Sequence, residues 1–199
     1  MWHKLLAKYK IVLASKSPRR QQFLIDLGIP HEVHAKEIDE SYPDHLQAGQ
    51  ITEYIAQKKA AAFAPIPADQ LLITSDTIVW DGKKALGKPN SPTDAVEMLA
   101  NLSGKSHQTI SSICITNAHL QKTATCITDV WFKNFTPSEI QYYVENFKPM
   151  DKAGSYGIQE WIGMIGVHKI EGSFYNVMGL PTHLLYQLLC EIEEESKNI

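Results

Sequence analysis

Short apolar runs alternate along the chain with longer stretches in which apolar residues recur every three or four positions. The runs Ile11–Ala14, Leu71–Ile73 with Ile78–Trp80, Thr109–Thr116, Thr125–Phe132 and Gly163–Ile170 have the length and content of buried strands. The segments between them carry helical start signals. Ser17-Pro18-Arg19-Arg20 offers an N-cap serine and a proline at the first helical position, then Phe23, Leu24 and Leu27 at helical spacing and a stop at Gly28. Ser91-Pro92-Thr93-Asp94 repeats the device before Ala95, Val96, Met98 and Leu99, with a stop near Gly104. Thr136-Pro137-Ser138-Glu139 reads as a capping box ahead of Ile140, Tyr143 and Val144. Ile51–Ala64 is an alanine-rich helix ending before Pro65, and Leu184–Ile192 is a last helix with an acidic, solvated tail.

Strands and helices alternate early, and strand pairs follow one another in the middle. That order predicts a three-layer α/β fold with a mixed central sheet rather than a pure βαβ array. No internal repeat, low-complexity tract or long linker divides the chain, so 1–199 reads as one domain, with or without two lobes around a cleft. A chain of 199 residues buries roughly 70% of its unfolded surface and needs neither disulfides nor a structural metal for its core.

Composition narrows the function classes. The 44% hydrophobic and 21% charged fractions are those of a globular protein, and a formal charge of -3 provides no broad basic field for nucleic acid or an acidic membrane. Local basic clusters remain able to hold a small polyanion. Cys114, Cys126 and Cys190 form neither a CxxC pair nor an even set, and read as reduced, buried thiols. The apolar part of MWHKLLAKYKIVLAS is too short and interrupted for a signal or membrane segment, and reads as the lead-in to a strand. The expected compartment is the cytoplasm.

The stretch Ser15-Lys16-Ser17-Pro18-Arg19-Arg20 follows a buried strand and opens a helix, where free N–H groups and the dipole favour an anion. Two arginines are the wrong charge for such a first turn unless an anion sits between them. The alternative is a capped helix with two solvated arginines. In Thr74-Ser75-Asp76-Thr77, a carboxylate lies between apolar runs and is expensive to bury unpaired. Asp76 is therefore expected at a strand end facing a cleft, a metal or a cation, or else in an Asx-turn between two strands.

Gly82 to Lys88 begins like a P-loop, but Pro89 stands where magnesium-binding Ser or Thr is required, so a Walker motif is rejected. Lys88 remains a candidate phosphate contact on a turn stiffened by Pro89, against a solvated role. Asp151 to Gln159 is a small-residue loop, and the Gln159 amide both donates and accepts, as reading a base edge requires. The loop from Ile170 to Pro181 either lines a pocket or serves packing. The eight histidines give no metal set, Thr74 excludes the paired-aspartate phosphatase motif, and HExxH and GxSxG are absent. Glu37, Asp39 and Glu40 read as a solvated turn.

Taken together, these pieces resemble the Maf family of nucleoside triphosphate pyrophosphatases from Ile11 to about Leu189. The resemblance is carried by Leu-Ala-Ser-Lys-Ser-Pro-Arg-Arg at 13–20, Ile-Asp-Glu at 38–40, Lys59-Ala60 and Ser-Asp-Thr-Ile-Val at 75–79. It continues in Leu-Gly-Lys-Pro at 86–89, Leu-Ser-Gly at 102–104, Asp-Lys-Ala-Gly-Ser-Tyr-Gly-Ile-Gln at 151–159 and Gly-Leu-Pro at 179–181. It implies an α/β architecture similar to inosine triphosphatase, with a mixed sheet and two lobes around the active cleft. By the same resemblance Asp76 is the catalytic aspartate. Arg19, Arg20, Lys59 and Lys88 grip phosphates, Ser15 lines their pocket, and Glu40 with Asp76 holds a divalent metal (Mg, Mn or Co). Arg19, Thr77 and Gln159 tune substrate choice.

The Gly157-Ile158-Gln159 ending looks like the branch acting on dTTP and UTP. Ser75 stands where many relatives carry alanine, and Glu160 and Trp161 where small glycine-type residues are common. The implied reaction is hydrolysis at the α-phosphorus, which would remove non-standard or modified pyrimidine nucleotides. Asp76 either orients or deprotonates the water or chiefly holds the metal. By family analogy and the prevalence of two-fold oligomers, a homodimer is expected. Two other readings remain: a non-catalytic nucleotide-binding regulator of division arrest, and a phosphomonoesterase of small metabolites. A nucleic-acid binder fits least.

Overall fold

The computed structural model describes residues 3–195. Its elements run α1 (His3–Lys8), β1 (Lys10–Leu13), α2 (Pro18–Asp26), β2 (Glu32–Val33), α3 (Gly49–Ala61), β3 (Gln70–Trp80), β4 (Ala85–Leu86) and α4 (Pro92–Leu102). They continue with β5 (Ser106–Thr116), β6 (Gln121–Phe132), α5 (Pro137–Phe147), a 3-10 turn (Ala153–Ser155), α6 (Trp161–Gly166), β7 (Val167–Glu171), α7 (Phe174–Val177) and α8 (Thr182–Glu195). The strands form one sheet in the order β2-β1-β3-β5-β6-β7, with β4 on β3. β1 is parallel to β2 and β3, whereas β3–β4 and β6–β7 are antiparallel, so this is the expected α/β fold with a mixed sheet. No described helix is long and apolar enough to cross a membrane.

Two compact units divide the chain. The first holds the residues up to Asp76, Ser111–Cys126 and those from Gly179 onward; the second holds Thr77–Ile110 and Ile127–Met178. In the first, Val12 and Leu72 are register partners and pack with Cys114 against Ala56 and Ala60 of α3. Their strand neighbours Ile11, Leu13, Leu71 and Ile73 point the other way and are as deeply buried, so the sheet is covered on both faces here. That explains why these strands read as continuous apolar runs. In the second unit Val79, Leu99, Val130, Phe132, Tyr143 and Ile162 belong to one core cluster.

The expected caps of α4 and α5 are present. Ser91 Oγ accepts from the Asp94 N–H at 3.1 Å. Thr136 Oγ1 accepts from the Glu139 N–H at 3.2 Å, while Glu139 Oε2 accepts from the Thr136 N–H at 2.8 Å. α2 differs. Its N-cap residue Ser17 makes no side-chain cap bond, and its own N–H instead donates to Ser15 Oγ at 3.2 Å.

Five further expectations are corrected. The lead-in to β1 is the helix α1, with Met1 and Trp2 outside the described residues. The runs at 71–73 and 78–80 are one strand, because Thr74, Ser75 and Asp76 continue it, Thr74 bonding to the Ala56 carbonyl and Asp76 to the Lys59 ammonium. The apolar stretch 163–170 is not one strand. Ile162, Gly163 and Gly166 are buried at helical spacing in α6, and only Val167 onward is extended. The acidic end of α8 is not simply solvated: Glu193 is buried, and Glu191 and Glu195 pair with Lys122. The tail from 196 onward lies outside the described residues. Cys114 is buried as expected, but Cys126 and Cys190 are only half-buried.

Candidate active site

Strand alternation places Thr74 and Asp76 on the same face of β3. Both reach α3: Thr74 Oγ1 donates to the Ala56 carbonyl at 2.7 Å, and Asp76 Oδ1 accepts from Lys59 Nζ at 2.8 Å. Ala56 and Lys59 are three residues apart, so one helix face serves both strand positions. Asp76 is therefore in mid-strand, only 6% exposed, rather than at a strand end or in an Asx-turn. A carboxylate this buried requires a charged partner, and Lys59 supplies it.

Lys59 Nζ also lies 2.9 Å from Glu40 Oε1. Glu40 belongs to an irregular stretch after β2, and its side chain is 57% exposed against 9% for Asp76. One ammonium thus joins a buried and an open carboxylate. The rest of the acidic cluster is elsewhere engaged, Asp39 with Lys58 and Glu37 with Lys16. Glu40 alone of the three joins Asp76, so the solvated-turn reading holds for its neighbours and not for it.

Arg20, in the first turn of α2, is braced on two carbonyls. Its Nε donates to Gly179 at 2.9 Å and its Nη1 to Ser75 at 2.8 Å. Burial weakens its hold on its proton. The negative charge of Asp76 works against this, Arg19 adds to it, and Glu40 opposes it. The guanidinium remains charged. These mutual fields place Arg19, Arg20, Glu40 and Asp76 in one electrostatic neighbourhood, with Lys59 between the carboxylates. Ser15 is buried in the turn leading to the two arginines. All six residues belong to the first unit.

Thr77, Lys88 and Gln159 belong to the second. Thr77 is half-buried on the opposite face of β3 from Asp76. Lys88 and Gln159 are exposed. Gly87 accepts a bond from the Gly154 N–H at 3.0 Å, which joins the turn carrying Lys88 to the loop carrying Gln159. Gly154 has φ +66°, and a Cβ there would come within 2.8 Å of Val79, so only glycine fits.

Among the described residues no group of three or more His, Cys, Asp or Glu side chains converges to hold a metal unaided. Asp76 and Glu40 nevertheless fit a hard cation that takes its remaining ligands from phosphate oxygens and water, as magnesium does. Two features escaped sequence reasoning. The Ser75 carbonyl anchors Arg20 through backbone, which no side-chain motif signals. Lys152, buried beside Glu160, lies in a motif whose charge pattern did not reveal its partner.

Comparison with known proteins identifies the family. The family model described as "Maf-like protein" matches residues 10–192. A dTTP/UTP pyrophosphatase of Bacteroides fragilis strain YCH46 is 53% identical over 189 residues, 94% of this chain and 98% of the relative. Another, from Christiangramia forsetii, is 49% identical over 193 residues, covering 96% and 98%. Among solved structures, the Staphylococcus aureus Ham1 protein shares 14% identity over 94% of this chain and 99% of that one, with a TM-score of 0.48. With its motifs in order across nearly the whole length and half its residues shared with such relatives, the chain belongs to the Maf family.

Proposed function

We propose that this chain hydrolyses dTTP and UTP to the monophosphate and pyrophosphate. The observation that carries the reading is the ammonium of Lys59 shared by Asp76 and Glu40, beside Arg19 and Arg20 at the start of α2. Cations and carboxylates so placed suit a polyphosphate and its counter-ion, and suit a neutral substrate poorly. The full-length similarity to dTTP/UTP pyrophosphatases supports the substrate class.

In this reading water attacks the α-phosphorus, its oxygen enters the monophosphate, and the bridging oxygen leaves with pyrophosphate. Asp76 accepts the proton of the attacking water at its carboxylate. Arg19, Lys59 and Lys88 balance charge on the departing pyrophosphate. Arg20, fixed on the Ser75 and Gly179 carbonyls, presents its remaining surface to the same phosphates and holds the first turn of α2 in place. Ser15 shapes that turn by accepting from the Ser17 N–H at the start of α2, where the helix dipole favours an anion. A divalent ion held by Asp76 and Glu40 with phosphate oxygens would supply charge neutralisation. Thr77 and Gln159 select the base; the amide of Gln159 can match both the donor and the acceptor of a pyrimidine edge.

Hydrolysis of dTTP and UTP in 18O-labelled water, with magnesium, manganese or cobalt, tests the reading. The expected products are pyrophosphate and a monophosphate carrying the label. Orthophosphate release, label in pyrophosphate, or absence of turnover with all three metals would each refute it.

A further inference from the structure

Gln159 stands in a turn that is closed by a backbone bond and tied at its first residue, through a tyrosine hydroxyl, to the carboxylate of Glu160. At the near end, the Gly157 N–H donates to the Tyr143 hydroxyl at 3.1 Å, and that hydroxyl in turn donates to Glu160 Oε2. At the far end, the Glu160 N–H closes back on the Gly157 carbonyl at 3.0 Å. Between them Ile158 is buried and Gln159 alone faces outward. The space is so fully used that a Cβ on Gly157 would come within 2.8 Å of Glu160 Cδ, and one on Gly163 within 2.0 Å of the Ile158 carbonyl.

The second oxygen of the same carboxylate holds the base of the loop. Lys152 Nζ lies 3.1 Å from Glu160 Oε1, with the Lys152 side chain 9% exposed and that of Glu160 21%. Lys152 also pairs with Asp151 at 2.7 Å, whose side chain is 60% exposed and so a weaker counter-charge. Burial and the bond to Glu160 both push the Tyr143 hydroxyl well above the usual phenol range, which keeps it a donor to the carboxylate at any working pH. Sequence signals only that a charged residue stands where glycine-type residues are common; the structure shows what it holds.

We propose that Glu160 is a positioning residue for substrate choice: by clamping Lys152, Tyr143 and the 157–160 turn, it fixes the direction in which Gln159 presents its amide to the base. The inference rests on the reading of Gln159 as a base contact. The Glu160 carboxylate is engaged by Tyr143 and Lys152, so its effect is expected in discrimination between bases and not in the chemical step.

The test compares the wild-type chain with Gln159→Ala, Glu160→Gln, Tyr143→Phe and the Gln159→Ala/Glu160→Gln double variant. For each, kcat and KM are measured with dTTP, UTP and GTP, and thermal unfolding is followed alongside. Glu160→Gln is expected to lower the dTTP-to-GTP efficiency ratio about tenfold, mainly through KM for dTTP, in the range that misplacement of a positioning group produces. Tyr143→Phe should shift the ratio in the same direction, and serves if Glu160→Gln does not fold. In the Gln159→Ala background Glu160→Gln should change the ratio no further, since contacting residues that act through one another are not additive. The inference is overturned if Gln159→Ala changes the ratio while folded Glu160→Gln and Tyr143→Phe leave it within about twofold. It is also overturned if Glu160→Gln acts equally with Gln159 absent. A ratio untouched by Gln159→Ala sinks the base reading itself, and the inference with it.

Discussion

Lys59 faces two carboxylates of very different surroundings, and the difference decides what its removal does. Its contact with open Glu40 is screened by water, whereas its contact with buried Asp76 is not. Lys59→Met keeps the aliphatic stem but strands the Asp76 charge, and is expected to lower unfolding stability by about 2 kcal/mol, read by denaturant titration at pH 7. Glu40→Gln should change it by less than about 0.5 kcal/mol. Equal effects would contradict the burial argument. The sequence showed that Asp76 needed a partner, because a carboxylate between apolar runs cannot be left alone. It did not show from residue types that Lys59 was the partner; a lysine on an alanine-rich helix carries no signal until Thr74 and Asp76 are seen to share one face of α3.

A second residue-scale consequence concerns His107. It is buried, its Nε2 lies 2.7 Å from the Tyr156 hydroxyl, and its Nδ1 has no hydrogen-bond partner among the described residues. Burial pulls its pKa from 6.5 down to about 4. The unfolded chain therefore binds a proton between those values that the folded chain does not. The corresponding stability is whole above pH 6.5 and is lost progressively as pH falls toward 4. At pH 5 the loss attributable to this group should be about 2 kcal/mol. His107→Gln should flatten the dependence between pH 5 and 7; an unchanged slope in chemical unfolding at the two pH values would contradict it.

At the scale of elements, the most legible features were helix starts, because caps are local chemistry. α5 begins at the Thr136–Glu139 capping box, with both reciprocal bonds formed. Thr136→Ala should lower stability by about 1 kcal/mol, and a change below about 0.3 kcal/mol would show that α5 is held by its packing alone. Ser17 carries the same sequence signal without forming the bond, since the turn from β1 instead uses Ser15 Oγ. The errors came where long-range packing overrode a local pattern. The polar middle of β3 looked like a break because its partners on α3 were out of sight. The apolar stretch from Gly163 looked extended, but Gly163 and Gly166 are there for close approach to the Ile158 carbonyl and the Phe135 ring, which only a helical turn provides.

At the scale of the whole molecule, the order of strands and helices was enough to give a mixed α/β sheet, and the motifs were enough to name the family and the candidate residues. Composition and spacing could not assign those residues to units. Ser15, Arg19, Arg20, Glu40, Lys59 and Asp76 fall in one and Thr77, Lys88 and Gln159 in the other, because β3 passes from the first to the second between Asp76 and Thr77. The donor set also has a global consequence. In the proposed reading the chain offers two carboxylates, Asp76 and Glu40, so it should hold a divalent ion weakly and acquire it with the substrate. Chelation with EDTA should therefore abolish turnover while shifting the melting temperature by less than about 1 °C. A fall of several degrees would instead indicate a resident metal that supports the fold.

The most direct measurement is the steady-state turnover of dTTP by Asp76→Asn beside the wild-type chain, under saturating metal and with folding verified by thermal unfolding. Asparagine keeps the shape at the Lys59 contact but neither accepts the water's proton nor contributes charge. A fall in kcat of at least about a hundredfold is expected. Turnover close to that of the wild type would remove Asp76 from the reaction.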